Sequence, residues 1–321
     1  MTTDTVPHRR TSAPISPAKR LETTMAAARV SFTWFGVRKS LTTSQKAQAA
    51  DTFGAEGKYL SAAKKLLDTS GPAFRALTST RSRILSLWRG MSLPYPEAGI
   101  RLIRQDRIDV FNDQMAAMRQ ALGEAAIELD HQLPQLRMDA QERLGNLFNP
   151  ADYPATLVGQ FVVEWDFPSV QPPDYLLELN PRLYEQERAR MVARFEEAVG
   201  MAEDAFASEL SAMVSHLVDR LTPGDNGKIK TFRDSAVNNV HGFFEQFRSL
   251  NINSSKQLDE LVDKAQQLLK GVRPGQLRVN ESLRNQVSAG LAAVQASLDD
   301  LLVDQPRRRI IRPAARAEDA A

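Results

Sequence analysis

Residues 191–221 read MVARFEEAVGMAEDAFASELSAMVSHLVDRL, with apolar positions Met191, Phe195, Val199, Ala202, Phe206, Leu210, Met213, Leu217 and Leu221 at intervals of 4, 4, 3, 4, 4, 3, 4 and 4. A stripe repeating every eleven residues has about 3.67 residues per turn, so it stays on one face of a nearly straight helix. Pro181 and Pro223 bracket that helix. At about 1.5 Å per residue it is roughly 60 Å long, and a single apolar seam of that length needs a partner of similar length to be stable in water.

The partner predicted from the sequence begins near Gln105, where helical spacing links Ile108, Phe111, Met115, Met118, Leu122, Ala126, Leu129, Leu133, Leu136, Ala140, Leu144 and Leu147. Pro134 lies inside this run and should kink it or split it in two. Between the two arms, Leu157-Val-Gly-Gln-Phe-Val-Val-Glu-Trp-Asp-Phe167 alternates with the period of two that marks a strand. One strand is unstable alone, so it should pair with residues from 168–180 or with the segment around Trp34. The expected fold is mainly α: a helical bundle with a long antiparallel coiled hairpin over 105–222, carrying a small β element at its tip at 150–180.

Outward from the hairpin, residues 26–104 are expected to form an N-terminal helical base. Ser31 to Lys39 reads as a short strand or extended stretch, and Ser44 as the N-cap of a helix that continues through Tyr59, Leu60, Ala63, Leu66 and Leu67 to Gly71-Pro72. A second helix from Pro72 presents Phe74, Leu77, Ile84, Leu85 and Trp88, before the Pro- and Gly-rich run Met91 to Gly99 ends it. After the breaker loop Thr222 to Gly227, three helices near 229–250, 255–269 and 277–302 should return to pack on the base, within a C-terminal bundle spanning 223–304. Residues 1–25 and 305–321 read as disordered basic arm and tail.

The chain has 321 residues, 42% hydrophobic and 25% charged, and 41 Lys+Arg against 39 Asp+Glu leave a net charge of +2. That suits soluble, folded domains and excludes a global field drawing the protein to nucleic acid or membrane, so any such binding has to be local. No cysteine is present, which excludes disulfides, thiolate metal sites and a cysteine nucleophile and fits a reducing cytoplasm. No apolar run is long enough for a membrane span, and residues 1–25 lack the apolar block of a secretory signal.

Chemistry-bearing motifs are sparse. There is no phosphate-binding Gly-Lys-Ser/Thr loop and no Gly-x-Gly-x-x-Gly after a strand. His8, His131, His216 and His241 are scattered without ligand spacing, and His216 reads as a flank of the stripe beside Leu217. The acidic pairs Glu196-Glu197, Asp259-Glu260 and Asp299-Asp300 read as solvated helix faces. No cofactor, metal or catalytic residue is therefore assigned, and the chain reads as non-enzymatic. The candidate partner-binding residues are Phe161, Trp165, Phe167 and Tyr175, large apolar side chains at the expected hairpin tip. A nucleic-acid alternative rests on Arg9, Arg10, Lys19 and Arg20 in the arm and Arg307, Arg308, Arg309 and Arg312 in the tail.

Three stretches, Trp34-Phe-Gly-Val-Arg-Lys39, Leu93-Pro-Tyr-Pro-Glu-Ala-Gly-Ile-Arg-Leu-Ile103 and Phe232-Arg-Asp-Ser-Ala-Val-Asn-Asn-Val240, together resemble an uncharacterised family of bacterial phage, plasmid and integrative-element proteins. Its members are often encoded beside MoxR-type AAA ATPases and von Willebrand A-domain proteins. The resemblance covers most of 30–302, but its motifs are structural, so it implies no site residue and no activity. It implies a scaffold or adaptor role alongside such an ATPase or A-domain protein. Rival readings are the nucleic-acid-associated protein above and a phage structural protein whose stripes pair between chains in a homo-oligomer.

Overall fold

The computed structural model describes residues 15–223, 230 and 233–304. Among them are eleven α-helices and six β-strands, and the chain divides into two compact units, Met1–Phe195 and Glu196–Ala321. The fold is mainly helical, as expected, but the first unit is built on a sheet.

Helix α1 (Pro17–Thr24) is capped by Ser16, whose hydroxyl accepts the Lys19 N–H, and it runs without a loop into strand β1 (Met25–Trp34). Leu21 is fully buried. The expected disordered arm of 1–25 is thereby corrected for its last ten residues, 16–25, which cap, helix and enter the sheet. Short local signals suffice there: a Ser cap followed by Pro17 fixes the first turn.

A four-stranded antiparallel sheet has the order β4 (Ser92–Pro94), β5 (Ile100–Arg104), β1, β6 (Phe161–Asp166). Trp34 pairs with Phe161 and Arg29 with Asp166, so the strand read at 157–167 does join the Trp34 segment. The even residues of β1 from Ala26 to Trp34 face a core shared with Phe161, Val163 and Ile103, closed by α3 (Pro72–Gly90) and α4 (Ile108–His131). On the opposite face Met25, Ala27, Ile100 and Leu102 are buried, and Arg29, Ser31 and Thr33 are exposed. The β5 half of this sheet escapes the sequence reading because Leu93-Pro-Tyr-Pro looks like a breaker and the start of β1 is alanine-rich, a weak strand signal.

Between β1 and α3 lies a small module. Strand β2 (Arg38–Ser40) pairs antiparallel with β3 (Ala63–Lys65), and between them run α2 (Thr43–Asp51) and a 3₁₀ turn at Gly57–Tyr59. The helix expected from Ser44 to Leu67 is corrected: Thr42 caps it, with Gln45 closing a capping box, and it stops at Asp51. Gly54 adopts φ +64°, a left-handed conformation that ends a helix and that other residues reach at a cost.

Every apolar position read in the 108–147 run is buried or half-buried. Pro134 does split it, into α4 and α5 (Leu133–Leu144), and it sits in the first turn of α5, where a missing N–H is tolerated. The long helix also forms, as α7 (Pro181–Leu221), preceded by the short α6 (Tyr175–Leu179). The long coiled hairpin is not confirmed. The apolar face of α4 packs on α3 and β6, the seam of α7 beyond Glu196 meets other helices, and the strand read at 157–167 lies in the sheet beside β1. A stripe states that a face is buried; it does not state against what.

The second unit joins α7 from Glu196 onward to α8 (Ser235–Leu250), α9 (Lys256–Leu269), α10 (Pro274–Val279) and α11 (Glu281–Asp304). Phe206 stands edge-on to Phe247 at 5.0 Å and to Phe243 at 6.2 Å, and the Gln295 amide donates to Ser211 Oγ at 2.9 Å. Gly290 admits close approach of α11 to α9, since a Cβ there would stand 2.6 Å from Leu268 Cδ2. Along α7 the buried seam is the predicted one except that Ala198 and Val214 replace Val199 and Met213, which are half-buried, and Ala207 joins it beside Phe206. These neighbours straddle the seam line, one residue being about 100° around the helix.

Candidate functional site

The four residues expected at the tip have different fates. Phe161 is 3% exposed, buried edge-on against Trp34 with ring centroids 4.9 Å apart, and is removed as a contact residue. Trp165 is half-buried: its indole N–H donates to Asn112 Oδ1 at 2.8 Å and the Arg119 guanidinium lies over its ring at 5.0 Å. Both point to the core face because pairing with the even residues of β1 sets their side. Phe167, just past the strand, is 37% exposed and edge-on to Phe111 at 6.3 Å. Tyr175 is 61% exposed.

The last of these belongs to a longer exposed strip. After Asp166, held by the Arg29 guanidinium through Nε–Oδ1 at 2.9 Å, Pro168, Pro172 and Pro173 keep the chain out of helix. Helix α6 then presents Tyr175, Leu177 and Leu179, the last two 51% and 78% exposed. The Asn180 side chain accepts the Leu183 N–H at 3.1 Å and starts α7, whose Leu183 and Val192 are also exposed. Sequence reasoning named Tyr175 alone, although the run Tyr175-Leu-Leu-Glu-Leu179 is apolar enough to have been noticed.

A second set of functional groups surrounds β2 and β3 and was not foreseen. Lys64, 7% exposed, donates to the Leu147 carbonyl at 2.6 Å and pairs with Asp152 Oδ2 at 2.6 Å, while Lys39 reaches Asp152 Oδ1 at 2.6 Å. Hydrogen bonds from Lys39 and then Lys64 hold the Asp152 carboxyl below the usual carboxylate range, against the opposing effect of desolvation. The next residue, Tyr153, donates its hydroxyl to the Leu66 carbonyl at 2.9 Å. The 147–153 turn is thus clamped to the paired strands β2 and β3 and to Leu66.

In the second unit, His216, Arg220, Arg233, Ser235 and Asn239 line an open groove of about 580 Å³. His216 is exposed on the flank of the α7 seam, as read from the sequence. Among the described residues no group of three or more His, Asp and Glu is placed to hold a metal ion, and no helix is long and apolar enough to cross a membrane. Of the basic termini, Lys19 pairs with Glu22 at 2.8 Å and Arg20 Nη2 donates to the Ile15 carbonyl at 3.3 Å. Arg9, Arg10, Arg307, Arg308, Arg309 and Arg312 lie outside the described residues. Comparison with protein-family models, curated proteins and solved structures finds no match to this chain.

Proposed function

We propose that the protein is a non-enzymatic scaffold or adaptor of a bacterial mobile element, working in the cytoplasm and docking a protein partner on the strip between β6 and α7. The observation that carries this reading is the exposure of Tyr175, Leu177 and Leu179 at 61%, 51% and 78% within five residues. Side chains this apolar cost free energy in water, and clustered on one short segment they favour covering by a partner. The stop at Pro172-Pro173 and the Asn180 cap hold the segment in a defined conformation, which lowers the ordering cost of docking. The resemblance to mobile-element proteins makes a MoxR-type AAA ATPase or a von Willebrand A-domain protein the first partner to try.

Replacing Leu177 and Leu179 by Ser is expected to weaken binding to such a purified partner by at least about tenfold while leaving the melting curve in place, because neither side chain is buried. Biolayer interferometry with the partner immobilised measures it. Equal affinity of wild type and variant would remove the strip from the docking role. Light scattering on the same pair of proteins separates out self-association: a mass that halves in the variant would identify a second copy of this chain as the occupant.

A further inference from the structure

We propose that the β2–α2–β3 module, residues 37–66, is a binding face for single-stranded nucleic acid, distinct from the basic termini and from the apolar strip. Arg38 stands directly opposite Lys65, and Lys39 directly opposite Lys64. Like charges so placed repel. On the inner face Asp152 relieves the repulsion by pairing with both lysines at 2.6 Å. On the outer face Arg38 and Lys65 are exposed with no carboxylate partner among the described residues, and their row continues into Ser40 and Ala63. The carboxylates that share a groove with Lys65 are engaged elsewhere, Asp68 with Arg143 at 2.9 Å and Asp139 with the Gln135 amide at 2.7 Å. An external anion completes on this face what Asp152 completes on the other.

Two aromatic rings stand on the same module. Phe53 and Tyr59 are 81% and 82% exposed, more than any other aromatic side chain among the described residues. They flank a loop that leaves α2 and folds back along it, where a Cβ on Gly57 would come 3.1 Å from Ala47 Cα. Lys58 lies over the Tyr59 ring at 5.1 Å while pairing with Glu56 at 2.6 Å, and Lys46 adds a further cation on α2. An exposed Arg38–Lys65 pair and two exposed rings on one small module, the Tyr59 ring with Lys58 over one of its faces, match a polyphosphate whose bases are unstacked. A duplex offers the phosphates but hides the faces of its bases. An anionic membrane is matched less well, because Gly54, Ala55, Glu56, Gly57 and Lys58 between Phe53 and Tyr59 include no large aliphatic side chain, and Leu60 beside Tyr59 is half-buried.

The test uses the full chain, fluorescence anisotropy with a labelled oligo-dT, a duplex of equal length, and phosphatidylserine-containing vesicles. Wild type is expected to bind oligo-dT at low salt and more tightly than the duplex. The double variant Phe53→Ala/Tyr59→Ala should weaken oligo-dT binding about tenfold or more. Arg38→Gln/Lys65→Gln should weaken it and lower the salt slope by about 1.4, the share of two phosphate contacts on a single strand. All four side chains are exposed, so unchanged circular dichroism melts are expected in both variants. Affinity unchanged in both would place binding on other residues and overturn the proposal. So would absence of oligo-dT binding by wild type, or capture by vesicles without binding to oligo-dT.

Discussion

Asp152→Ala is expected to destabilise the first unit by about 3 kcal/mol, the size of effect seen when one partner of a buried ion pair is removed. Its side chain is 3% exposed, and removing it leaves Lys64, 6% exposed along its side chain, with the Leu147 carbonyl as its remaining contact. It also restores the cross-strand repulsion between Lys39 and Lys64. Tryptophan fluorescence during urea unfolding measures this, since Trp34, Trp88 and Trp165 all precede residue 196. The pH dependence follows from the lowered carboxyl pKa in the folded chain. The stabilisation is fully present above the unfolded value of about 3.9 and is lost as pH falls through the lower folded value. Wild type and variant should therefore differ at neutral pH and converge in strong acid. A constant difference across the acid range would show that Asp152 does not act through its charge.

Phe206→Ala is expected to cost about 4 kcal/mol in the second unit, the range for deleting a buried phenylalanine and leaving a cavity. Phe206 is 5% exposed and its ring is held edge-on by Phe243 and Phe247, so the void opens within an aromatic cluster whose members cannot all collapse into it. All tryptophans and tyrosines lie before residue 196, so helical circular dichroism and hydrogen exchange of α8 to α11 are the suitable measurements. A loss below about 1 kcal/mol would mean that Phe206 lies at the margin of that core.

The longer helices were legible because their signals are local. Pro181 and the eleven-residue stripe mark α7, Pro134 splits α4 from α5, and Gly71-Pro72 starts α3. Alternation at 157–167 disclosed β6 and the Trp34 segment disclosed half of β1. The rest of the sheet was not legible, for physical reasons: β4 is three residues containing a proline, and its place is fixed by Leu93 pairing with Leu102, a contact invisible in either stretch alone. The candidate sites divide likewise. Exposed apolar residues near Tyr175 can be read from composition, whereas Asp152 matters only because folding brings it to Lys39 and Lys64, 113 residues away in the first case.

By itself, then, the sequence determined the course of the longer helices and the face each buries, and that 157–167 alternates as a strand, because these follow from spacing within one segment. Tertiary structure alone decided what each face meets. Phe161 and Trp165 became core-facing when β6 took its register beside β1, and Tyr175, Leu177 and Leu179 stayed exposed. The same amphipathic pattern fits many partners, and only long-range packing selects one of them.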